Sequence, residues 1–179
     1  MNYVFTSARL GFRIFHRSDA KALYRHHSER DYKRWFPNES YGDIREAREA
    51  IRRFRHWARK KKFPYVLAIV LLETDELIGD VGLNEVWDGS GKVEIGYSIC
   101  EAYQGHGYAA EAVAAMSAFA AAKFPIDTLY GRVLYGNGAS CKVMQKSGFQ
   151  FIGTEDGAKD DPYGKGMLLY ARTLANKKG

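Results

Sequence analysis

A glycine-containing segment in the second half of the chain has the residue types needed to bind an anion. Gln104-Gly105-His106-Gly107-Tyr108-Ala109 opens an alanine-rich stretch that continues to Phe124 and predicts a long helix. The first turn of a helix leaves backbone N–H groups without partners, and glycines let the chain bend tightly and a ligand approach the backbone. With the positive end of the helix dipole, these groups predict a site for a phosphate or pyrophosphate. An ordinary tight turn between strand and helix is the alternative.

Other well-known binding motifs are absent from the sequence. There is no Gly-x-x-x-x-Gly-Lys-Ser/Thr and no early Gly-x-Gly-x-x-Gly, so a P-loop and a dinucleotide fingerprint are excluded. Only two cysteines are present, Cys100 and Cys141, which excludes a disulfide scaffold and a multi-cysteine metal module. The histidines lack metal-ligand spacing, and the adjacent His26 and His27 are expected to point in different directions on a helix. We therefore predict no metal site.

The elements that must position this turn alternate between strand and helix patterns. The continuous apolar run Tyr65–Leu72 predicts a strand buried on both faces, whereas the alternating residues of 93–99 predict a strand in a meander. Apolar residues spaced by three and four from Ile44 to Ala58 predict an amphipathic helix with a basic end at 59–62. The segment 31–41 is predicted to be a loop with several aromatic residues, and Asp88–Gly91 a hairpin turn.

The predicted order of elements is β-α-α-β-β-β-α-β-α-β-β. Strands are predicted at 10–15, 65–72, 77–86, 93–99, 128–135, 149–153 and 167–173, and helices at 18–28, 44–58, 108–124 and 137–147. Helices therefore interrupt a mixed, largely antiparallel sheet, which is an α+β arrangement within the α/β class. The strand–helix–strand units near 93–135 and 128–153 imply some parallel pairing there.

Four motifs in this order resemble the GNAT superfamily of N-acetyltransferases. Gln104–Ala109 matches that family's Gln/Arg-x-x-Gly-x-Gly/Ala signature, and Val93–Tyr97 is similar to its fourth strand. Asn137–Ser140 with Lys146–Phe149 resembles its Asn-x-x-Ser…Lys-x-Gly-Phe segment. The residues Arg9-Leu10 and Ser18-Asp19-Ala20 resemble the start of the RimJ/RimL-like branch, which acetylates the N-termini of ribosomal proteins. The resemblance extends from about residue 9 to 174.

The resemblance implies a GNAT-like acyl-CoA N-acyltransferase fold, acetyl-CoA as the donor and a primary amine as the acceptor. It implies that backbone amides of Gln104, Gly105, His106, Gly107, Tyr108 and Ala109 hold the pyrophosphate. The family's fourth and fifth strands splay apart, here after about Ile99 and opposite 129–135. Pantetheine would enter this gap and bond to backbone groups near Ser98, Ile99 and Cys100, and Asn137 would contact the pantetheine arm.

Acetyl transfer from a thioester requires alignment of the reactants and a group that takes a proton from the acceptor ammonium. Glu94 is the first candidate for this base, because its position resembles the glutamate used by the histone-acetylating branch. Glu85 is the second candidate, and either carboxylate can act through a water molecule. The alternative role for Glu94 is a structural carboxylate that is paired with a nearby cation.

The departing thiolate requires a proton donor. Many relatives use a tyrosine whose position is Met144 here, and methionine cannot donate a proton. Ser140 is the alternative and resembles the serine of the ribosomal-protein branch, although a serine there can also cap the helix backbone. A free cysteine such as Cys141 is more often a packing residue than a nucleophile, so we do not expect an acetyl-cysteine intermediate. We expect the acceptor amine to attack acetyl-CoA directly in a ternary complex.

The acceptor is expected to be a protein N-terminal α-amino group, such as that of a ribosomal protein. The alternative is a small amine such as a polyamine or aminoglycoside, which would need an acidic pocket, whereas the first half of the chain is rich in arginine. A non-catalytic acyl-CoA-binding module and a basic nucleic-acid-binding domain are competing classes. The basic run 52–62 is interpreted as a solvated helix face, and aromatic residues in 32–37 as an acceptor wall or a homodimer contact.

The composition places these elements in one ordinary domain covering 1–179, because 46% of the residues are apolar and 27% are charged. No apolar run reaches the ~18 residues of a membrane span, and the N-terminus lacks a signal-peptide layout. We therefore expect a cytoplasmic protein. The formal net charge of +6 favours acidic ligands.

Overall fold

The computed structural model describes residues 2–86, 90–157 and 166–174. Within these ranges the chain forms eight strands and five α-helices. The strands are β1 (Phe5–Thr6), β2 (Leu10–Arg13), β3 (Tyr65–Leu71), β4 (Leu77–Glu85), β5 (Val93–Ile99), β6 (Thr128–Leu134), β7 (Gln150–Glu155) and β8 (Met167–Thr173). The helices are α1 (Ala20–His27), α2 (Arg30–Trp35), α3 (Ile44–Lys60), α4 (Tyr108–Lys123) and α5 (Gly138–Lys146).

The strands form one eight-stranded sheet in the order β1-β2-β3-β4-β5-β6-β8-β7. Every neighbouring pair is antiparallel except β5 and β6, which are parallel and are connected through α4. The mixed, mostly antiparallel sheet with flanking helices confirms the predicted fold class. Parallel pairing was also expected within 128–153, but this is wrong, because β8 inserts between β6 and β7 and pairs antiparallel with both.

A wedge-shaped gap opens in the middle of the sheet. β5 and β6 pair only at Val93–Leu129 and Glu94–Tyr130. Beyond these residues β5 remains paired with β4 as far as Ile99, and β6 remains paired with β8 as far as Leu134. Only these two residue pairs join the two halves of the sheet, so the strand twist separates the halves beyond them. The splay therefore begins after Glu94, earlier than the position predicted near Ile99.

Two short elements lie outside the predicted order. β1 has two residues, and the six-residue helix α2 lies in the segment that was predicted to be a loop. Helix α2 is too short for apolar periodicity to reveal it; instead, its Tyr32 is buried by stacking on His27 and Phe36. Of the predicted hairpin residues, Asp88 and Gly89 lie outside the described residues.

Helices cover both faces of the sheet. α4 and α5 pack on one face, where Val113, Met116 and Met144 join the larger core cluster. α1 and α3 pack on the other face around Phe15, Leu23 and Ile51. Helix α3 begins as predicted, because the carboxylate of Asp43 accepts hydrogen bonds from two backbone N–H groups of its first turn. Among the helices in the described ranges, none combines the length and the apolar character needed to cross a bilayer.

Candidate functional site

The predicted anion cradle lies at the N-terminus of α4, on the surface. Gly105 and Gly107 both have a φ of +80°, a left-handed conformation that favours glycine. Gly107 immediately precedes Tyr108, the first residue of the helix, and the residues from Gln104 to Gly107 are exposed. A Cβ atom at Gly105 would meet nothing within 4 Å. The bend therefore presents the first N–H groups of a 16-residue helix to solvent, as an anion site requires.

Arg9 holds this cradle in place, a role that the sequence did not reveal. Its Nη1 donates to the His106 carbonyl at 3.0 Å, its Nη2 lies 2.7 Å from a carboxylate oxygen of Glu111, and its guanidinium stacks over the Tyr108 ring at 4.5 Å. Burial opposes ionisation of Glu111, but hydrogen bonds from Arg9 and Ser7 outweigh it and lower the pKa of that carboxyl. Arg9 therefore fixes the turn in place, while its charge is balanced by the Glu111 carboxylate.

The main-chain groups that face the wedge differ from those predicted. The N–H of Cys100 donates to the Ile78 carbonyl at 2.8 Å, so Cys100 directs its main chain toward β4. Because this direction alternates along an antiparallel strand, Ser98 also faces β4, whereas Tyr97 and Ile99 face the wedge. Ile99 thus keeps its predicted position, and its carbonyl accepts a bond of 3.1 Å from the Gln104 side chain. The predicted hydrogen bonds between pantetheine and the main chain of Ser98 and Cys100 do not fit, because the main-chain groups of these two residues face β4 and not the wedge.

A paired phenol and hydroxyl lie on the α5 face of β5. The Tyr97 hydroxyl and Ser140 Oγ are 2.7 Å apart. Burial raises the pKa of Tyr97 to about 12, so the phenol keeps its proton. Asn137 caps α5 as predicted, since its Oδ1 accepts the Ser140 N–H at 3.0 Å. Met144, at the family's tyrosine position, is buried against Gly131, so Tyr97 supplies a phenol from a different element.

The two candidate carboxylates lie on opposite faces of the sheet. Glu94 points away from α5 and forms an ion pair with Arg132, whose Nε lies 3.1 Å from both carboxylate oxygens. Glu85 pairs with Val93, the residue before Glu94. Because side chains alternate along a strand, the exposed side chain of Glu85 projects from the face opposite to that of Glu94. The structure thus does not bring Glu85 and Glu94 together.

Glu94 lines a cleft of about 270 Å³. Trp35 and Phe36 from the end of α2 form one apolar wall of the cleft. The charged lining consists of Arg132 and the carboxylates of Glu39, Glu94, Glu155 and Asp156. Partial burial first, and the nearby Asp80 carboxylate second, raise the pKa of Glu39. Among the described residues of the lining, four carboxylates outnumber one guanidinium, so this part of the cleft attracts cations.

His26 and His27 lie side by side, contrary to the prediction that they point apart. Both are buried, their ring centroids are 5.4 Å apart, and both reach the pair formed by Asp80 and Ser98. The ligand atoms of His26, His27 and Asp80 lie within 4.8 Å of one another, a geometry open to a metal ion. Hydrogen bonds of 2.7–3.3 Å already connect these groups, so their polar atoms have partners without an ion.

Comparisons with known proteins decide the family. The model of the acetyltransferase (GNAT) domain matches residues 9–150. This chain belongs to the GNAT acetyltransferase family. It is 26% identical over 161 residues to the uncharacterized N-acetyltransferase p20 of Bacillus licheniformis, which covers 90% of this chain and 88% of p20.

Solved structures of GNAT acetyltransferases share the fold. RimL, a ribosomal α-N-protein acetyltransferase in complex with coenzyme A, gives a TM-score of 0.78 at 19% identity over 97% of this chain and 98% of RimL. A chimera of the spermidine N-acetyltransferase SpeG from Vibrio cholerae gives 0.76 at 16% identity over 93% and 96% of the two chains. The present GNAT protein is accordingly an N-acetyltransferase that uses acetyl-CoA, and the cradle and wedge have the chemistry to hold that donor.

Proposed function

We propose that this enzyme transfers the acetyl group of acetyl-CoA to a primary amine that enters the cleft beside Glu94, by direct attack in a ternary complex. The observation that carries the proposal is the arrangement of groups around β5. The proton-donating pair Tyr97–Ser140 lies on one face of the splayed strand, and the acidic cleft lies on the other. An amine thus arrives from one side while a thiolate leaves on the other.

Main-chain groups position the donor. The N–H groups of Gly105, His106, Gly107, Tyr108 and Ala109 hold the pyrophosphate at the start of α4. The Gln104 N–H, which was also predicted to do so, instead donates to the Glu101 carbonyl at 3.2 Å. Tyr97 and Ile99 present their main chains to pantetheine in the wedge, and Asn137 flanks this path at the start of α5. A backbone N–H of the splayed strand serves as donor to the oxyanion that forms at the thioester carbonyl.

Ser140 protonates the departing thiolate, and Tyr97 supports it through their 2.7 Å hydrogen bond. Ser140 is therefore the proposed general acid, as the sequence suggested, and Tyr97 is an additional residue that supports it. Glu94 was the first candidate for the base, but Arg132 Nε lies 3.1 Å from both of its carboxylate oxygens, so Arg132 occupies the atoms that would receive the proton. We therefore propose that Glu94 and Arg132 shape the acceptor wall.

The α-amino group of a protein N-terminus is the first acceptor class, as the resemblance to the ribosomal-protein branch implies. RimL, with the same fold, supports this class. A ribosomal-protein acceptor and acetyl-CoA are both cytoplasmic, so the reaction is placed in the cytoplasm. A homodimer contact through 32–37 stays a prediction, and residues Trp35 and Phe36 of that segment line the cleft.

The acidic cleft favours a second acceptor class, small polycationic amines. Glu39, Glu155 and Asp156 add negative charge beside the Glu94–Arg132 pair. The arginine-rich first half of the chain argued against such an acceptor, but Arg13 is buried against Asp19, and Arg45 pairs with Asp43 at the surface. Peptides with a basic residue near the N-terminus and polyamines both meet the charge requirement of the cleft.

Free-thiol release from acetyl-CoA, measured with a panel of acceptors, tests the proposal. The panel contains matched peptides with neutral or basic second residues, spermidine and an aminoglycoside. We expect turnover with cationic acceptors, and we expect the double change Glu155→Gln and Asp156→Asn to raise their KM about tenfold with little effect on the KM for acetyl-CoA. Glu73→Gln, at an exposed turn, is the charge-matched control. Binding of acetyl-CoA without turnover of any acceptor would contradict the proposal and favour a binding module.

A further inference from the structure

A buried series of hydrogen bonds connects a carboxylate, an imidazole and a hydroxyl on the acceptor side of β5. Glu29 Oε2 lies 2.7 Å from His26 Nδ1, and His26 Nε2 lies 2.7 Å from Ser98 Oγ. His26 is 2% exposed and Ser98 is 7% exposed. The order carboxylate, imidazole, hydroxyl is the arrangement in which a histidine takes a proton from a hydroxyl while a carboxylate fixes its tautomer.

Asp80 gives this series a second hydrogen-bonded state. Ser98 Oγ lies 3.0 Å from Asp80 Oδ2, which is also 3.3 Å from His27 Nε2. With neutral His26, Nδ1–H donates to Glu29 and the Ser98 hydroxyl donates to Nε2. With protonated His26, Nε2–H donates to Ser98 Oγ, and the Ser98 hydrogen turns to Asp80. Each state leaves every one of these polar atoms with a partner, so a proton enters or leaves without stranding a buried group.

The series lies beside the place where an acceptor amine approaches the wedge. Glu94, Gly96 and Ser98 share one face of β5, because side chains alternate along a strand. Gly96 leaves space between the other two, since an added Cβ would meet only Asn84 Nδ2, at 3.9 Å. An amine in this space is roughly 7 Å along the strand from Ser98. The apolar wall of the cleft packs against the series, because Phe36 stacks on Tyr32 at 4.9 Å and Tyr32 contacts the His26 ring at 5.1 Å.

We propose that Glu29, His26 and Ser98 form the proton relay that deprotonates the acceptor ammonium, with His26 as the base. This inference rests on the proposed acetyltransferase function. The ammonium passes one proton through bridging water to Ser98 Oγ as the Ser98 proton moves to His26 Nε2. The amine nitrogen keeps the electron pair of the broken N–H bond and forms the C–N bond at the thioester carbonyl. A second nitrogen proton is then lost to solvent as the C–S bond breaks, while the thiolate takes a proton from Ser140. Solvent returns a proton to Ser140, and His26 releases its proton to solvent before the next turnover, so one proton is released for each acetyl group transferred.

The groups around His26 are consistent with this role. Those that face it or its immediate partners are His27 and Glu29 near α1, Tyr32 of α2, the connecting residues Glu39 and Tyr41, Asp80 of β4, and Cys100 and Glu101 after β5. Burial would raise the pKa of Asp80, but the hydrogen bond and charge of His27, with contributions from His26 and Ser98, outweigh it and lower that pKa. Asp80 therefore stays ionised and stabilises the protonated state of the relay.

The test is the pH dependence of kcat/KM for the acceptor in His26→Gln. At pH 7 we expect a loss of about 100-fold, because general-base catalysis typically contributes that much. The loss should shrink as the pH approaches the pKa of the acceptor, where the amine arrives already deprotonated. It should also shrink at pH 7 for a fluorinated acceptor amine of low pKa. A merely structural role predicts the same loss at every pH and for every amine.

Matched variants complete the experiment. Ser98→Ala keeps His26 in place and should reproduce both the loss and its recovery if His26→Gln does not fold. His56→Gln, on α3, should leave the pH profile unchanged, and the Kd for acetyl-CoA should be unchanged in all three variants. If the wild-type protein is active and both relay variants keep its profile, or lose activity equally at every pH, the relay is wrong and the acetyltransferase function stands. If the wild-type protein releases no thiol with any acceptor, the proposed function itself fails.

Discussion

Single residues divide the chemistry between the two faces of β5. Tyr97 and Ser140 share a hydrogen bond on the face of α5, and Glu94 and Arg132 share an ion pair on the other face. The Tyr97 phenol keeps its proton and can donate a hydrogen bond to Ser140, whereas both carboxylate oxygens of Glu94 are occupied by Arg132. The side-chain contacts therefore favour Ser140 as the acid more than they favour Glu94 as the base.

At the residue scale, Ser140→Ala should lower kcat about tenfold to 100-fold while the Kd for acetyl-CoA stays the same. The substitution removes the hydroxyl that donates to the leaving thiolate and keeps the backbone N–H that Asn137 caps. Tyr97→Phe should give a smaller loss, because Ser140 remains but loses its 2.7 Å partner. Thiol release and isothermal titration with acetyl-CoA measure the two quantities. Equal kcat in Ser140→Ala and wild-type protein would remove Ser140 from the mechanism.

At the scale of elements, the N-terminus of α4 and the open edge of β5 form one binding surface. The Gln104 side chain connects them by donating to the Ile99 carbonyl, and Arg9, in the connection between β1 and β2, fixes the turn. The left-handed conformation of Gly105 and Gly107 directs the first N–H groups of the helix outward. The proposed donor site therefore depends on the conformation of this turn more than on any one side chain.

Gly107→Ala should weaken acetyl-CoA binding by about tenfold or more, which corresponds to about 1.4 kcal/mol. An added Cβ would approach only Arg9 Nη2, at 3.6 Å, so the effect arises from the φ of +80° that alanine disfavours. Gly91→Ala is the matched control, because Gly91 also has a positive φ, +68°, but lies in the β4–β5 connection. Both variants should lose about 1 kcal/mol of unfolding free energy. Unchanged affinity in folded Gly107→Ala would contradict the cradle.

At the scale of the whole molecule, charge is distributed unevenly. The chain carries a net +6, yet carboxylates outnumber guanidinium groups in the described lining of the cleft proposed for the acceptor. The basic residues at the end of α3 are not part of that lining, so net charge predicts little about the substrate. Several carboxylates are instead held ionised by specific partners, among them Asp80 by His27 and Glu111 by Arg9.

These lowered pKa values predict how stability responds to acid. The folded-state pKa of Asp80 and of Glu111 lies below the unfolded value of about 4, so their contribution is fully present above about pH 5 and is lost as the pH falls through the folded pKa. Thermal melting should give a Tm that falls below about pH 4. Glu111→Gln should lower the Tm at pH 7 and reduce its acid dependence, whereas Glu73→Gln should not. A wild-type Tm independent of pH between 3 and 6 would contradict this account.

Features that depend on neighbouring residues could be predicted from the sequence. The helices that begin at Ile44 and after Asn137 and the glycine bend before α4 were predicted, because the caps at Asp43 and Asn137 and the turn at Gly105 and Gly107 join groups within a few residues. The apolar run of β3 likewise specified a buried strand without reference to its partners. The family motifs lie in these local turns, so the sequence also indicated acetyl-CoA as the donor.

Contacts between distant side chains became known from the folded structure. Tyr97 and Ser140 are 43 residues apart, His26 and Ser98 are 72 apart, and Arg9 and His106 are 97 apart. Their contacts depend on where the sheet splays and on the insertion of β8 between β6 and β7, which residue periodicity does not encode. Periodicity fixes the face on which a side chain lies, whereas its partner across that face is set by the packing of elements far apart in the chain.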